Sequence, residues 1–225
     1  MSVLDWLIIG CLSITILSSI FALFFLYSYV TLRKKNNKIA QKRPKNKQKR
    51  RKWKRQLRLL AKRKKSALIK IIIFLVLLFS SLGGALYCRY YQSINLGKED
   101  QEIISQTYFI LDEVSTELKN IQNGSNVDKT QEKLKDMLSV LVSYTSRTPS
   151  TSLSIEGQQQ LRYYYTKTRE FGTNLYGQTP EQLSDKTKVA AFQSDISELE
   201  KKQAEIFKEF HINKESIRAQ NKNDK

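Results

Sequence analysis

The sequence predicts an all-α protein: two transmembrane helices forming a hairpin, followed by an extracytoplasmic antiparallel bundle of about four helices. Three observations carry this reading. First, residues 6–30 hold no charged side chain and residues 67–88 hold one, Lys70. Each stretch matches or exceeds the roughly 20 apolar residues that cross a hydrocarbon core of about 30 Å. Second, residues 33–65 hold 19 Lys or Arg and no Asp or Glu, while the rest of the chain holds 20 basic and 21 acidic residues. Third, residues 92–212 place apolar side chains three and four apart, with no alternating run of strand length.

The first five residues form a short outer terminus, and 6–30 is the first span. A cleaved signal would start with a basic region, but 1–6 carries only Asp5. The apolar run is also too long, and Ile20-Phe21-Ala22 offers no small-x-small site. Cys11 follows Ile8-Ile9-Gly10 too early for a lipoprotein box.

The +18 net charge belongs to one loop, 31–66, between the spans. Basic residues beside spans are retained in the cytoplasm, so the loop is inside and both termini are outside, as in a multi-pass protein of a cell membrane. Trp6, Tyr87, Tyr90 and Tyr91 then anchor the outer interface, and Tyr27 and Tyr29 the inner one. Lys70 sits one turn into the second span, where it can snorkel back.

Within the loop, 33–51 is rich in Lys, Asn and Gln and is expected to be disordered. Residues 52–66 differ, because Trp53, Leu57, Leu60 and Ala61 recur between cations. This pattern predicts a basic amphipathic helix lying on the membrane surface. Trp53, Arg55, Arg58, Lys62, Arg63, Lys64 and Lys65 are the expected contacts with anionic lipid. Nucleic acid is the less expected partner, because no zinc-finger, helix-turn-helix or RNA-module signature accompanies the charge.

The second span is 67–88. Ser80, Ser81, Gly83 and Gly84 on it, with Ser18, Ser19 and Ala22 on the first, give small-residue patches that allow the spans to pack closely. Cys11 and Cys88 both fall toward the outer leaflet and read as two separate thiols.

In the outer domain, 92–212, a helix over 98–122 carries Ile104, Leu111, Val114, Leu118 and Ile121 in a seam like that of a coiled coil. Asn123-Gly124 stops it. A helix over 127–146 carries Leu134, Leu138 and Leu141, followed by a linker at Thr148-Pro149-Ser150-Thr151. A third, 155–171, carries Leu161, Tyr164, Tyr165 and Phe171, with Gly172 as its stop. Thr179-Pro180-Glu181-Gln182 starts a last helix that reaches about 210, with Gln203 interrupting its seam. The tail, 213–225, is polar and expected to be disordered.

The chemistry-bearing residues are sparse. His211 is the one histidine, and the outer domain has no cysteine, so no zinc set or other cofactor is expected. Asp112/Glu113, Glu198/Glu200 and Glu205/Glu209 lie among lysines at helical spacing, as on solvated faces. The run Tyr163-Tyr164-Tyr165 cannot point wholly inward, so Tyr163 and Tyr164 are the expected partner-binding residues.

These readings imply a non-enzymatic scaffold of a bacterial cell envelope. It would present its bundle to a protein partner outside and its polybasic loop to lipid or a cytoplasmic partner. The alternatives are a membrane sensor or an accessory subunit of a transport or envelope-synthesis complex. Homo-oligomerisation is compatible with all of them.

Overall fold

A computed structural model describes residues 3–42, 44 and 47–213, and these are helical with no strand among them. The elements are α1 (Val3–Gln41), α2 (Lys47–Ile94), α3 (Lys98–Gln122), α4 (Val127–Thr145), α5 (Ile155–Tyr176), α6 (Pro180–Leu183) and α7 (Lys186–Glu209). Apart from Asn213, the expected disordered tail lies outside the described residues. The chain divides into two compact units, Met1–Tyr90 and Tyr91–Lys225.

The first unit is a helical hairpin. Its helices are long and apolar enough to cross a membrane. On α1 the less exposed residues recur every third or fourth position, through Ile8, Cys11, Thr15, Ser18, Ala22 and Phe25 and on through Tyr29, Leu32, Asn36 and Ile39. On α2 the same spacing runs through Trp53, Leu57, Leu60, Lys64, Ala67, Ile71, Phe74, Leu78 and Ser81. A repeat of this kind places these side chains along one stripe of each helix.

Contacts across the seam fix an antiparallel register. The Thr15 and Ser81 hydroxyls are 2.6 Å apart. Phe74 stacks on Phe21 and Phe25, with centroids 5.2 and 5.6 Å away. A methyl group added at Gly84 would make only ordinary contact with Cys11 Sγ, at 3.6 Å, and one at Gly83 would meet nothing, so the glycines of the small-residue patch are not used for close approach. Both cysteines are free thiols.

The basic segment departs from one expectation. Residues 33–41 continue α1, and 47–51 are already the start of α2, so most of the stretch expected to be disordered is helical. Residues 52–66 form the expected helix and lead without a break into the apolar stretch that follows. No Gly or Pro lies between 47 and 82 to interrupt it. The apolar stripe of 52–66 is turned toward α1, an intramolecular partner that the sequence reading had not supplied.

The second unit packs α3 against α4 and α7, and α5 against the same two helices, with α6 bridging α4 and α7. Its core has two apolar clusters. One gathers Leu111, Val114, Leu118, Leu134, Leu138, Leu141, Phe171, Leu183, Val189 and Ile196, among others. The other gathers Ile103, Ile104, Leu153, Leu161, Tyr164, Tyr165, Ile206, Phe207 and Phe210.

Local chemistry sets the ends of these helices. Gly124 takes φ 92°, the left-handed turn anticipated for Asn123-Gly124, and Ser125 N–H donates to the Asn120 carbonyl at 3.0 Å. Asn126 Oδ1 then caps α4 by accepting from Lys129 N–H at 3.1 Å.

Gly172 does not end α5, which runs on to Tyr176. A Cβ at this position would lie 3.0 Å from Val142 Cγ2 and 3.4 Å from Leu141 Cδ2. The glycine lets α5 approach α4 closely, the other use of glycine within a helix.

The capping box at Thr179 forms as expected. Gln182 Oε1 accepts from Thr179 N–H at 2.9 Å, and Thr179 Oγ1 accepts from Gln182 N–H at 3.4 Å. It opens only the four residues of α6, however. Leu183 turns into the core, and Asp185 provides a second cap by accepting from Thr187 N–H at 2.9 Å. One expected helix is thus two.

Candidate functional site

The most charged surface of the chain is the basic end of the α1–α2 hairpin. Its backbone is held by the seam, which continues past the apolar stretches into the cationic segment. Lys70 Nζ lies 5.1 Å from the Phe25 ring centroid, and Lys64 Nζ lies 5.6 Å from that of Tyr29. Near the tip, Trp53 donates its indole N–H to the Ile39 carbonyl at 2.8 Å. That carbonyl is in the last turn of α1 and also accepts from Lys42 N–H at 3.2 Å, so the indole is its second donor. The tryptophan therefore ties one helix to the other.

This arrangement sorts the seven residues expected at a lipid interface. Arg55, Arg58, Lys62, Arg63 and Lys65 are exposed, whereas Trp53 and Lys64 are half-buried in the seam. Trp53, Leu57 and Leu60 face α1, which leaves Leu59 as the one strongly exposed large apolar side chain among the described residues between Val30 and Leu68. The sequence had shown half of this seam. Its α1 half, through Tyr29, Leu32, Asn36 and Ile39, was hidden because a polar Asn36 sits among lysines.

In the second unit, the tyrosine run divides. Tyr163 is 53% exposed, but Tyr164 and Tyr165 are buried at 1% and 2%. The expectation that Tyr164 joins Tyr163 at a partner surface is therefore corrected: only Tyr163 offers its ring to solvent. Beside it, a shallow groove runs between α5 and α7, with Lys167, Glu170, Asp195, Lys202 and Glu205 along its edges. Lys167 pairs with Glu170 and Lys202 with Glu205, each at 2.9 Å. The edges are thus largely neutralised by short-range pairs on their own helices.

The bundle interior also holds polar side chains. Thr107, Thr145, Thr168 and Gln203 are buried at 0–2%, one from each of α3, α4, α5 and α7. Gln203 Nε2 donates to the Ile104 carbonyl at 3.2 Å. The Tyr164 hydroxyl lies beside those of Thr107 and Thr168, close enough for weak polar interaction but without hydrogen bonds of ordinary geometry. The interruption noticed at Gln203 is one of these buried polar side chains.

Asp100 was not singled out by its sequence context, since an acid in the first turn of a helix complements the helix dipole. Its register gives it away: it lies three and four residues before Ile103 and Ile104, on the buried stripe. The carboxylate is 2% exposed and accepts from Tyr165 Oη at 3.0 Å and from Ser150 N–H at 3.1 Å. It ties α3 and α5 to the α4–α5 linker. Burial pushes its pKa above the usual carboxylate range, against the lowering effect of those two hydrogen bonds. Burial, together with the Asp100 charge, likewise raises Tyr165.

Among the described residues no three metal-ligating side chains converge. His211 ends α7 with φ 53° and is exposed. No protein-family model, curated protein or solved structure matches this chain.

Proposed function

We propose that the protein is a two-pass, non-enzymatic scaffold of a bacterial cell membrane. The spans are the apolar parts of α1 and α2, the basic end of the hairpin is cytoplasmic, and the second unit is a helical bundle outside. The observation that carries this reading is the pairing of length with exposure in α1 and α2. Ile16, Phe24 and Phe79 are 63%, 62% and 67% exposed, and similar side chains surround both helices. A water-soluble surface rarely tolerates apolar patches beyond a few hundred Å², whereas a bilayer solvates them. The concentration of cations at one end of the hairpin supports the orientation.

In this reading, cations next to the apolar stretch, such as Lys62, Arg63 and Lys65, meet anionic headgroups, each contributing about 1 kcal/mol. Outside, Tyr163 and the neighbouring groove offer a protein partner an aromatic anchor. Alkaline carbonate washing of membranes tests the anchoring. The protein should remain in the pellet and be released only by detergent. Release by carbonate alone would overturn the reading.

A further inference from the structure

We infer that the distal part of the basic hairpin is a sequence-independent binding arm for the phosphate backbone of a nucleic acid. The inference rests on the two-span reading above and deepens its account of the basic segment. It starts from the unbroken helix. Lys47 precedes Ala67 by about 20 residues, which is about 30 Å along the axis of α2. The seam pairs this segment with α1, and the Trp53–Ile39 hydrogen bond of 2.8 Å and the Lys64–Tyr29 contact hold the pair together. With its apolar side chains used in the seam, the segment has no face left to insert into lipid. It continues the direction of the span and stands off the bilayer.

Distance then divides the cations into two groups. The headgroup layer is about 5–7 Å deep, and salt screens charges beyond about 8 Å. Lys62, Arg63 and Lys65 are within reach of lipid. Lys47, Lys49, Arg50, Arg51 and Lys54 are exposed and lie about 20 Å or more from the apolar boundary, well past both layers. These cations count toward orientation, lying within about 20 residues of a span, but they are beyond the reach of lipid attraction.

The surface chemistry selects among soluble polyanions. Protein interfaces are anchored by buried aromatic and aliphatic side chains. Here Leu59 is the one such exposed side chain between Val30 and Leu68 among the described residues. Cations, with uncharged polar residues such as Asn37, Gln41 and Gln56 between them, make up most of the rest, and 33–65 contains no acid to impose register. A surface of this kind matches a phosphate backbone, which is bound through counterion release without base readout.

The test uses the full chain in nanodiscs of zwitterionic phosphatidylcholine and a fluorescent 40-nucleotide RNA of mixed sequence, followed by anisotropy from 50 to 300 mM KCl. A DNA duplex of equal length serves as the second probe. Binding should be observed at 150 mM KCl, with affinity falling steeply with salt. A distal variant (Lys47, Lys49, Arg50 and Arg51→Gln) should bind at least 10-fold more weakly. Its log–log salt slope should be shallower by about 3, at about 0.7 per single-strand phosphate. A proximal variant (Lys62, Arg63 and Lys65→Gln) should change affinity by less than threefold.

Replacing half the lipid with phosphatidylglycerol should leave RNA affinity within threefold. No binding of either probe at 150 mM KCl, equal effects of the two variants, or abolition of binding by the anionic lipid would overturn the inference. If the wild-type chain does not enter nanodiscs, the two-span reading itself fails. Loss of RNA binding by a properly inserted chain refutes only the arm.

Discussion

The indole N–H of Trp53 reaches across the hairpin to the carbonyl of Ile39, 2.8 Å away, and so joins the beginning of α2 to the last turn of α1. The bond commits the tryptophan to the protein instead of the lipid. Trp53→Phe retains an aromatic ring in the seam and removes the donor. The expected loss is about 1 kcal/mol of local stability. Amide exchange in 36–41 and 50–56 should speed up about fivefold, with α3–α7 unaffected. Unchanged exchange in both segments would show that the bond does not hold the tip.

The close approach of α4 and α5 at Gly172 predicts a size-dependent cost. Gly172→Val places a branched side chain where even a Cβ would lie 3.0 Å from Val142 Cγ2. Overpacking of this kind costs about 1–3 kcal/mol. Val142→Ala in the same chain should recover a large part of it. Denaturant unfolding of the second unit, followed in detergent, would measure the cycle. Additive effects would mean that the two residues do not meet.

Asp100 makes the stability of the second unit depend on pH with a definite sign. Its pKa is raised in the folded state, so the fold favours the neutral carboxyl. Its contribution is full below the ordinary carboxylate range and is lost as pH rises through the raised value. Asp100→Asn removes that dependence, because the amide is neutral at every pH; its oxygen can accept from Ser150 N–H while its NH2 donates to Tyr165 Oη. Thermal unfolding of the two proteins from pH 3.5 to 8 checks the sign. A contribution from Asp100 that grows with pH would contradict it.

Thr168 predicts a stabilising substitution. Its hydroxyl is fully buried, makes no hydrogen bond of ordinary geometry and has the equally buried Tyr164 hydroxyl beside it. Thr168→Val keeps the shape and, combined with Tyr164→Phe, removes both stranded polar groups, which should raise stability by about 1 kcal/mol. Gln203→Ala should instead lose about 2 kcal/mol or more, since it vacates a packed site and removes the donor to Ile104. Equal effects of the two changes would argue against this distinction between the buried polar groups.

The features legible in the sequence were those with a single physical meaning. A charge-free run of 25 residues and seams such as Ile104, Leu111 and Leu118 have few alternative uses, and the structure gives each the expected helix. Residues with two uses were misread. Gly172 is a close-approach glycine rather than a stop, and Asp185 caps a helix that Thr179 alone was expected to begin. Trp53 and Leu57 fit a membrane surface as well as a seam, and only the paired stripe on α1 decides between them. Tyr164 was hardest to place, because three consecutive tyrosines leave open which one faces outward.

The orientation of the chain about two spans can be tested by labelling. In a background with Cys11 and Cys88 replaced by Ser, single cysteines at exposed Gln56 and exposed Ser125 can be probed with a membrane-impermeant thiol reagent in intact cells. The account predicts labelling at position 125 and none at position 56 until the membrane is permeabilised. Labelling at position 56, with position 125 protected, would contradict it.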